Sequence, residues 1–134
     1  MKAAIYSRVF EDEHREEVQL FFDELQNQKI EPVIFHQFFE QIKNEITLPT
    51  DTKTFSLYED LTEEIEFIIS LGGDGTLLDT VTLVRDKRIS VMGINFGRLG
   101  FLASIGRDEV KTAVKAIAKR TYVEDARTLI HIDA

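Results

Sequence analysis

Apolar residues along this chain alternate between two rhythms. Short unbroken runs, Ala3-Ala4-Ile5, Val33-Ile34-Phe35, Phe67-Ile68-Ile69 and Val91-Met92-Gly93-Ile94, have the form of strands buried on both faces. Between them the apolar positions recur every three or four residues, as on one side of a helix. The pattern predicts a strand over Lys2–Ser7 and a helix over Asp12–Gln28, with Val18, Phe21, Phe22 and Leu25 on one face. A strand over Ile30–Phe35 and a helix over His36–Ile46, with Phe38, Phe39 and Ile42 to one side, come next. Thr47–Lys53, which contains Pro49, is the loosest connection, and Thr54–Leu57 is a short edge strand. After the strands ending near Leu71 and Ile94, a helix over Asp108–Arg120 buries Val110, Val114 and Ile117, and Lys111, Lys115 and Lys119 form its solvated side. Strand–helix alternation of this kind predicts an α/β fold: a three-layer, parallel sheet of the Rossmann or flavodoxin type.

The segment Phe67-Ile68-Ile69-Ser70-Leu71-Gly72-Gly73-Asp74-Gly75-Thr76-Leu77-Leu78 joins one of these strands to a helix through a glycine-rich turn. Its glycines admit backbone angles closed to other residues and let a ligand approach the main chain. A helix starting at Gly75 or Thr76 aims free N–H groups, and the positive end of its dipole, at an anion. Asp74 then stands where it can accept a proton from a hydroxyl or help hold a phosphate-bound metal. The same turn can also be purely structural, with Asp74 capping the helix. A hairpin is excluded, because Thr76–Val84 spaces its apolar residues as a helix does. The next strand runs into Asn95-Phe96-Gly97-Arg98-Leu99-Gly100-Phe101-Leu102. In a doubly wound sheet both loops leave from carboxyl ends of strands and line one crevice. No Gly-x-Gly-x-x-Gly follows the first strand, where Tyr6-Ser7-Arg8-Val9-Phe10 makes the turn, so a Rossmann dehydrogenase is not expected.

Together the two segments resemble the NAD kinase family: Gly72-Gly73-Asp74-Gly75-Thr76, then Asn95-x-Gly97-x-Leu99-Gly100-Phe101-Leu102. The first is shared with diacylglycerol and sphingosine kinases and loosely with phosphofructokinases. The second separates them, and the Gly-Thr-Gly-Asn-Asp segment of a lipid kinase does not occur. The resemblance implies transfer of the ATP γ-phosphoryl group to the 2′-hydroxyl of the adenosine ribose of NAD, giving NADP, with Mg²⁺ neutralising the phosphates. It makes Asp74 the catalytic carboxylate. It makes Gly72, Gly73, Asp74, Gly75, Thr76, Leu78, Asn95, Gly97, Leu99, Gly100 and Phe101 the substrate-binding set, with Phe101 against the adenine of NAD and no residue ligating a metal. Phosphoryl transfer asks mainly for positioning and charge stabilisation, which one carboxylate in a glycine cradle can serve. Arg98 reads as a solvated loop residue, and Asp79 departs from relatives that carry a basic residue there.

The family's later Asn-Glu pair and its Asp-Gly…Ser-Thr-Pro-Thr-Gly-Ser segment do not occur, and Asn44-Glu45 lies upstream of the glycine turn. The chain therefore reads as the N-terminal domain of a two-domain enzyme without its all-β C-terminal domain, with residues 1–126 as the nucleotide-binding domain and 127–134 as the start of the second. Thr128-Leu129-Ile130-His131-Ile132-Asp133 alternates like a half-buried strand, with partners expected in the absent part. The fragment alone is expected to be inactive, and the full-length protein to be a homodimer or homotetramer. Two other readings stand beside this one: a lipid or sugar kinase sharing only the glycine turn, and a nucleotide-binding or assembly module without catalysis.

Composition narrows the setting. With 134 residues, 43% of them hydrophobic, the chain matches one domain with a real core. It has no apolar run near the ~18 residues of a membrane span, and no membrane partner is expected. Zero cysteines fit a reducing cytoplasm. His14, His36 and His131 show no ligand spacing and read as structural or surface residues. The net charge of −8 argues against nucleic acid as a partner, and its distribution is uneven. Residues 11–66 carry sixteen Asp or Glu against four Lys or Arg, whereas residues 67–134 carry eight against ten. The half bearing both loops is the half that tolerates an anionic nucleotide.

Overall fold

The computed structural model describes residues 1–85, 87, 89–94, 107–119 and 129–132. Within them lie the strands β1 (Lys2–Tyr6), β2 (Glu31–Phe35), β3 (Lys53–Phe55), β4 (Ile65–Leu71), β5 (Ser90–Ile94) and β6 (Leu129–Ile132). The helices are α1 (Arg15–Asn27), α2 (His36–Ile42), α3 (Asp74–Val84) and α4 (Arg107–Lys119), with 3₁₀ turns at Asp12–His14 and Tyr58–Asp60. The strands form one sheet in the order β3-β2-β1-β4-β5-β6, and β1 to β5 are all parallel. This is the α/β, doubly wound architecture that the alternation predicts.

Because the parallel strands are covered on both faces, successive residues feed two separate cores. Ala3, Ile5, Phe67, Ile69 and Leu71 join Phe21 and Leu25 of α1, Phe38 of α2 and Val114 of α4 in one. Ala4, Val33, Ile68 and Val91 join Val84 of α3, Phe55 and Leu61 in the other. Phe21, Phe38, Phe55 and Phe67 are all fully buried, so these phenylalanines hold the layers together.

Several boundaries differ from the sequence reading. The expected helix over Asp12–Gln28 divides, because His14 takes φ −105° and ψ 12° after a 3₁₀ turn closed by His14 N–H to the Glu11 carbonyl at 2.9 Å. α2 stops at Ile42 instead of Ile46. The chain then turns back, with the N–H groups of Glu45 and Ile46 both donating to the Ile42 carbonyl, and Ile46 stays buried. The short edge strand starts one residue earlier and ends two earlier than expected, at Lys53–Phe55.

The last strand is the main correction. β6 runs antiparallel beside β5, with Leu129 opposite Ile94 and Ile132 opposite Val91. One of its partners is therefore a strand of this chain.

Candidate active site

The strand order places a topological switch between β1 and β4. From β1 the chain winds outward through β2 to β3, and from β4 it winds the other way to β5. Loops on either side of such a point diverge and leave a crevice outside the carboxyl ends of the strands. Here those loops are Ser7–Glu11 after β1 and Gly72–Gly73 after β4. Ser7 ties them together: its buried Oγ donates to the Leu71 carbonyl at 2.7 Å. On the other flank, Gly72 N–H donates to the Ile94 carbonyl at 3.0 Å, which fixes the glycine turn to the end of β5. A cavity of about 190 Å³ opens between the loops, lined among others by Ser7, Phe10, His14, Phe38, Gly72 and Gly73.

α3 opens directly from this crevice. Its N-cap is Gly73, at φ −90° and ψ −162°, with no side-chain cap, and the Leu77 N–H to Gly73 carbonyl bond of 3.1 Å starts the helix. Asp74 is thus the first helical residue and not the cap, and the helix begins slightly earlier than Gly75 or Thr76. The first N–H groups of a helix have no intrahelical acceptor, so this end of α3 faces the crevice with donors and a favourable dipole for an anion.

The three glycines serve different ends. Gly72 has φ +147°, and a Cβ there would lie 2.7 Å from Thr76 Oγ1, so close packing and backbone angle both demand glycine. Thr76 is buried and packs beneath the turn. A Cβ on Gly73 would meet nothing within 4 Å, and its backbone angles suit any residue, so its bare face is open to the crevice. A Cβ on Gly75 would come within 3.0 Å of Arg8 Nη1. Leu78, on the outer side of α3, is 67% exposed, an unusual place for a large apolar side chain.

A second polar group at the crevice escaped the sequence reading. Arg8, just beyond β1, grips Asp79 of α3 with two hydrogen bonds: Nε donates to Oδ2, and Nη2 donates to Oδ1 at 2.8 Å. Tyr6 Oη adds a third, to Asp79 Oδ2 at 3.0 Å. The Arg8 hydrogen bonds hold the Asp79 carboxyl below its usual range, against the opposing effect of burial. Burial first, and the Asp79 carboxylate second, push the Tyr6 hydroxyl up. The three residues lie more than seventy positions apart in part, with no spacing to link them. The available signal was an arginine in the turn after β1 facing a carboxylate early in the helix after β4.

His14 also has company that its spacing did not suggest. Its Nδ1 lies 3.7 Å from Glu11 and its Nε2 3.9 Å from Glu13, in an exposed acidic setting. Asn95, Gly97, Arg98, Leu99, Gly100 and Phe101, the second segment of the sequence reading, lie outside the described residues. So does the side chain of Asp74. No helix of the described residues is long and apolar enough to cross a membrane.

Comparison with known proteins adds an independent line. The sequence profile of the ATP-NAD kinase N-terminal domain matches residues 11–122. A protein of Flavobacterium psychrophilum named NAD kinase is 32% identical over 132 residues, which is 98% of this chain and 45% of that protein. One of Cytophaga hutchinsonii, also named NAD kinase, is 35% identical over 130 residues, 96% of this chain and 44% of that protein. The chain thus spans just under half the length of these curated relatives. Among solved structures, yeast NADH kinase complexed with NADH superposes with a TM-score of 0.67 at 20% identity, covering 88% of this chain and 36% of that one, a likeness of fold. With the profile match extending over most of its length and running through the glycine turn, the chain belongs to the ATP-NAD kinase family.

Proposed function

We propose that the protein containing this chain transfers the γ-phosphoryl group of ATP to the 2′-hydroxyl of the adenosine ribose of NAD. The observation that carries the reading is the glycine turn: it opens α3 at the switch point with its N-cap bare and one glycine face free. A phosphorylated nucleotide fits that arrangement, since backbone N–H groups and the helix dipole favour its charge while Gly73 leaves room for it.

In the proposed step the ribose 2′-oxygen forms a bond to Pγ. The bond from Pγ to the β,γ-bridging oxygen breaks, ADP departs, and Asp74 accepts the hydroxyl proton. ATP enters as its Mg²⁺ complex, so the metal arrives with the substrate and no residue of this chain is assigned to it. Gly72, Gly73, Gly75 and Thr76 shape the turn. Exposed Leu78, with Asn95, Gly97, Leu99, Gly100 and Phe101, forms the NAD side of the pocket, where Phe101 packs on adenine. We assign the reaction to the cytoplasm, as its cysteine-free sequence suits a reducing compartment, and a homo-oligomeric assembly to the full-length protein.

The test is ATP- and Mg²⁺-dependent formation of NADP from NAD by the complete protein, with Asp74→Asn beside it. The variant should lose about 10²–10⁴-fold in turnover, the usual share of a positioned general base. A folded parent that makes no NADP would sink the proposal. An unimpaired Asp74→Asn would remove Asp74 from the chemistry.

A further inference from the structure

We propose that Arg8 is a positioning residue for the phosphoryl transfer suggested above. Paired with Asp79, which Tyr6 also bonds, it locks the first turns of α3 onto the end of β1, and so fixes the glycine turn and Asp74. The inference rests on that functional reading for its purpose, but on geometry alone for its existence.

Three hydrogen bonds converge on the Asp79 carboxylate. Nε and Nη2 form a two-point fork with the Asp79 carboxylate, the arrangement that gives Arg–carboxylate pairs their directional stiffness. The Tyr6 hydroxyl bonds the same carboxylate from the last residue of β1. The remaining nitrogen, Nη1, lies 3.0 Å from the place a Cβ on Gly75 would take, with Cζ at 3.4 Å, so the guanidinium rests against the backbone next to Asp74. Asp79 follows Asp74 by five residues, about 7.5 Å along a helix axis. The clamp therefore spans the first turn and a half of α3.

At that end of the helix the apolar seating comes from one half-buried side chain, Leu77. Along α3 the buried positions are Thr76 and Thr80, with Thr80 Oγ1 donating back to the Thr76 carbonyl at 2.8 Å, and Val84 at the far end, while Leu77 and Leu83 pack half-buried against the core. Leu78 and Val81 are exposed. The apolar contact that usually seats a helix on a sheet is thus weighted toward the C-terminal part of α3. The Tyr6–Asp79–Arg8 contacts supply the tie at the crevice end.

The same geometry argues against Arg8 as the ligand's own counter-charge. Its charge is matched by Asp79, and two of its three nitrogens are committed. The pair presents no net charge to a nucleotide. In turn, Arg8 cancels a carboxylate that would repel phosphates from the N-terminal end of α3.

The test uses the complete protein and two readouts. Arg8→Gln and Asp79→Asn should each lower kcat about tenfold and leave the KM values for ATP and NAD within about threefold, because a loosened Asp74 affects the reacting geometry more than binding. Combining them should cost no more than either alone, as expected of two ends of one contact, and Arg8→Lys should recover part of the loss. In the nucleotide-free protein, amide exchange over residues 75–80 should quicken about tenfold in both variants with the rest of the sheet unchanged. If Arg8→Gln proves too unstable to purify, Tyr6→Phe removes one bond of the three and should show the same pattern in weaker form. A raised KM for nucleotide in Arg8→Gln with Asp79→Asn unaffected would overturn the proposal and make Arg8 a ligand contact. Unchanged exchange over 75–80 would overturn it as well. If the parent makes no NADP, the kinase reading fails and the exchange measurement alone decides the clamp.

Discussion

Replacing Gly72 with alanine should be among the most damaging single-methyl additions in this domain, and replacing its neighbour Gly73 nearly harmless to stability. At Gly72 the backbone sits at φ +147°, and the new methyl would meet Thr76 Oγ1 at 2.7 Å, Cβ at 3.1 Å and Cγ2 at 3.3 Å. Holding an L-residue in such a region costs about 1–3 kcal/mol, and overpacking a tight site typically costs another ~1–3 kcal/mol. Thr76 is 8% exposed and has little room to retreat. The expected loss is about 2–5 kcal/mol, a large part of the roughly 5–15 kcal/mol by which a domain is normally stable. At Gly73 the angles are ordinary and no atom lies within 4 Å. There a small entropic gain from alanine offsets its weakness as an N-cap, and the net change should stay within about 1 kcal/mol. Urea unfolding of the two variants in the complete protein, followed by far-UV circular dichroism, measures both. Truncating Thr76 to alanine in the Gly72→Ala background should return only part of the loss, since the Cβ contact remains. Gly73→Ala should instead weaken nucleotide binding, because its methyl projects into the open crevice. A Gly72→Ala protein within 0.5 kcal/mol of its parent, or a Gly73→Ala protein less stable than Gly72→Ala, would refute this account of the turn.

Two further outcomes follow from buried and paired polar groups. Ser70 Oγ is fully buried with no hydrogen-bond partner among the described residues, so Ser70→Ala should leave stability unchanged or raise it by up to about 1 kcal/mol in the same unfolding assay. The Asp79 carboxyl is depressed by Arg8 from a reference of 3.8, so its contribution is complete above that value and lost as pH falls through its lower folded-state value. The melting-temperature gap between the parent and Asp79→Asn should accordingly be present near neutrality and close in acid. A gap that widened on acidification would contradict the ion pair.

Most of the sheet was legible because its strands and helices carry different periods. Phe67-Ile68-Ile69 can only be doubly covered, and Val18, Phe21, Phe22 and Leu25 can only share a helical face, so the layers follow. Pairing is another matter. The alternation of Leu129-Ile130-His131-Ile132 states that one face is buried, but nothing in it selects β5 as neighbour or sets the antiparallel sense. Helix ends blurred for a similar reason: Lys43, Asn44 and Glu45 suit a helix as well as the turns they form. At the candidate site, the glycine turn declared itself because strand, glycines and helix are contiguous. The Tyr6–Arg8–Asp79 contacts did not, since they depend on which strands are adjacent, and that adjacency is a property of the folded sheet.

The strand order also bears on how the molecule comes to exist. Ala3 pairs with Pro32, 29 positions on, but also with Phe67, 64 positions on, and no other strand pair described spans so much chain. Closing so long a loop carries the largest entropic penalty in the sheet, and pairings of this range are the slow ones. A chain emerging from the ribosome can assemble β1, α1 and β2 while the residues of β4 are still unmade. The crevice is bounded by the two strands whose pairing closes the longest loop in the sheet, so the candidate seam forms only once β4 has been made, and a nascent chain carries no crevice before then.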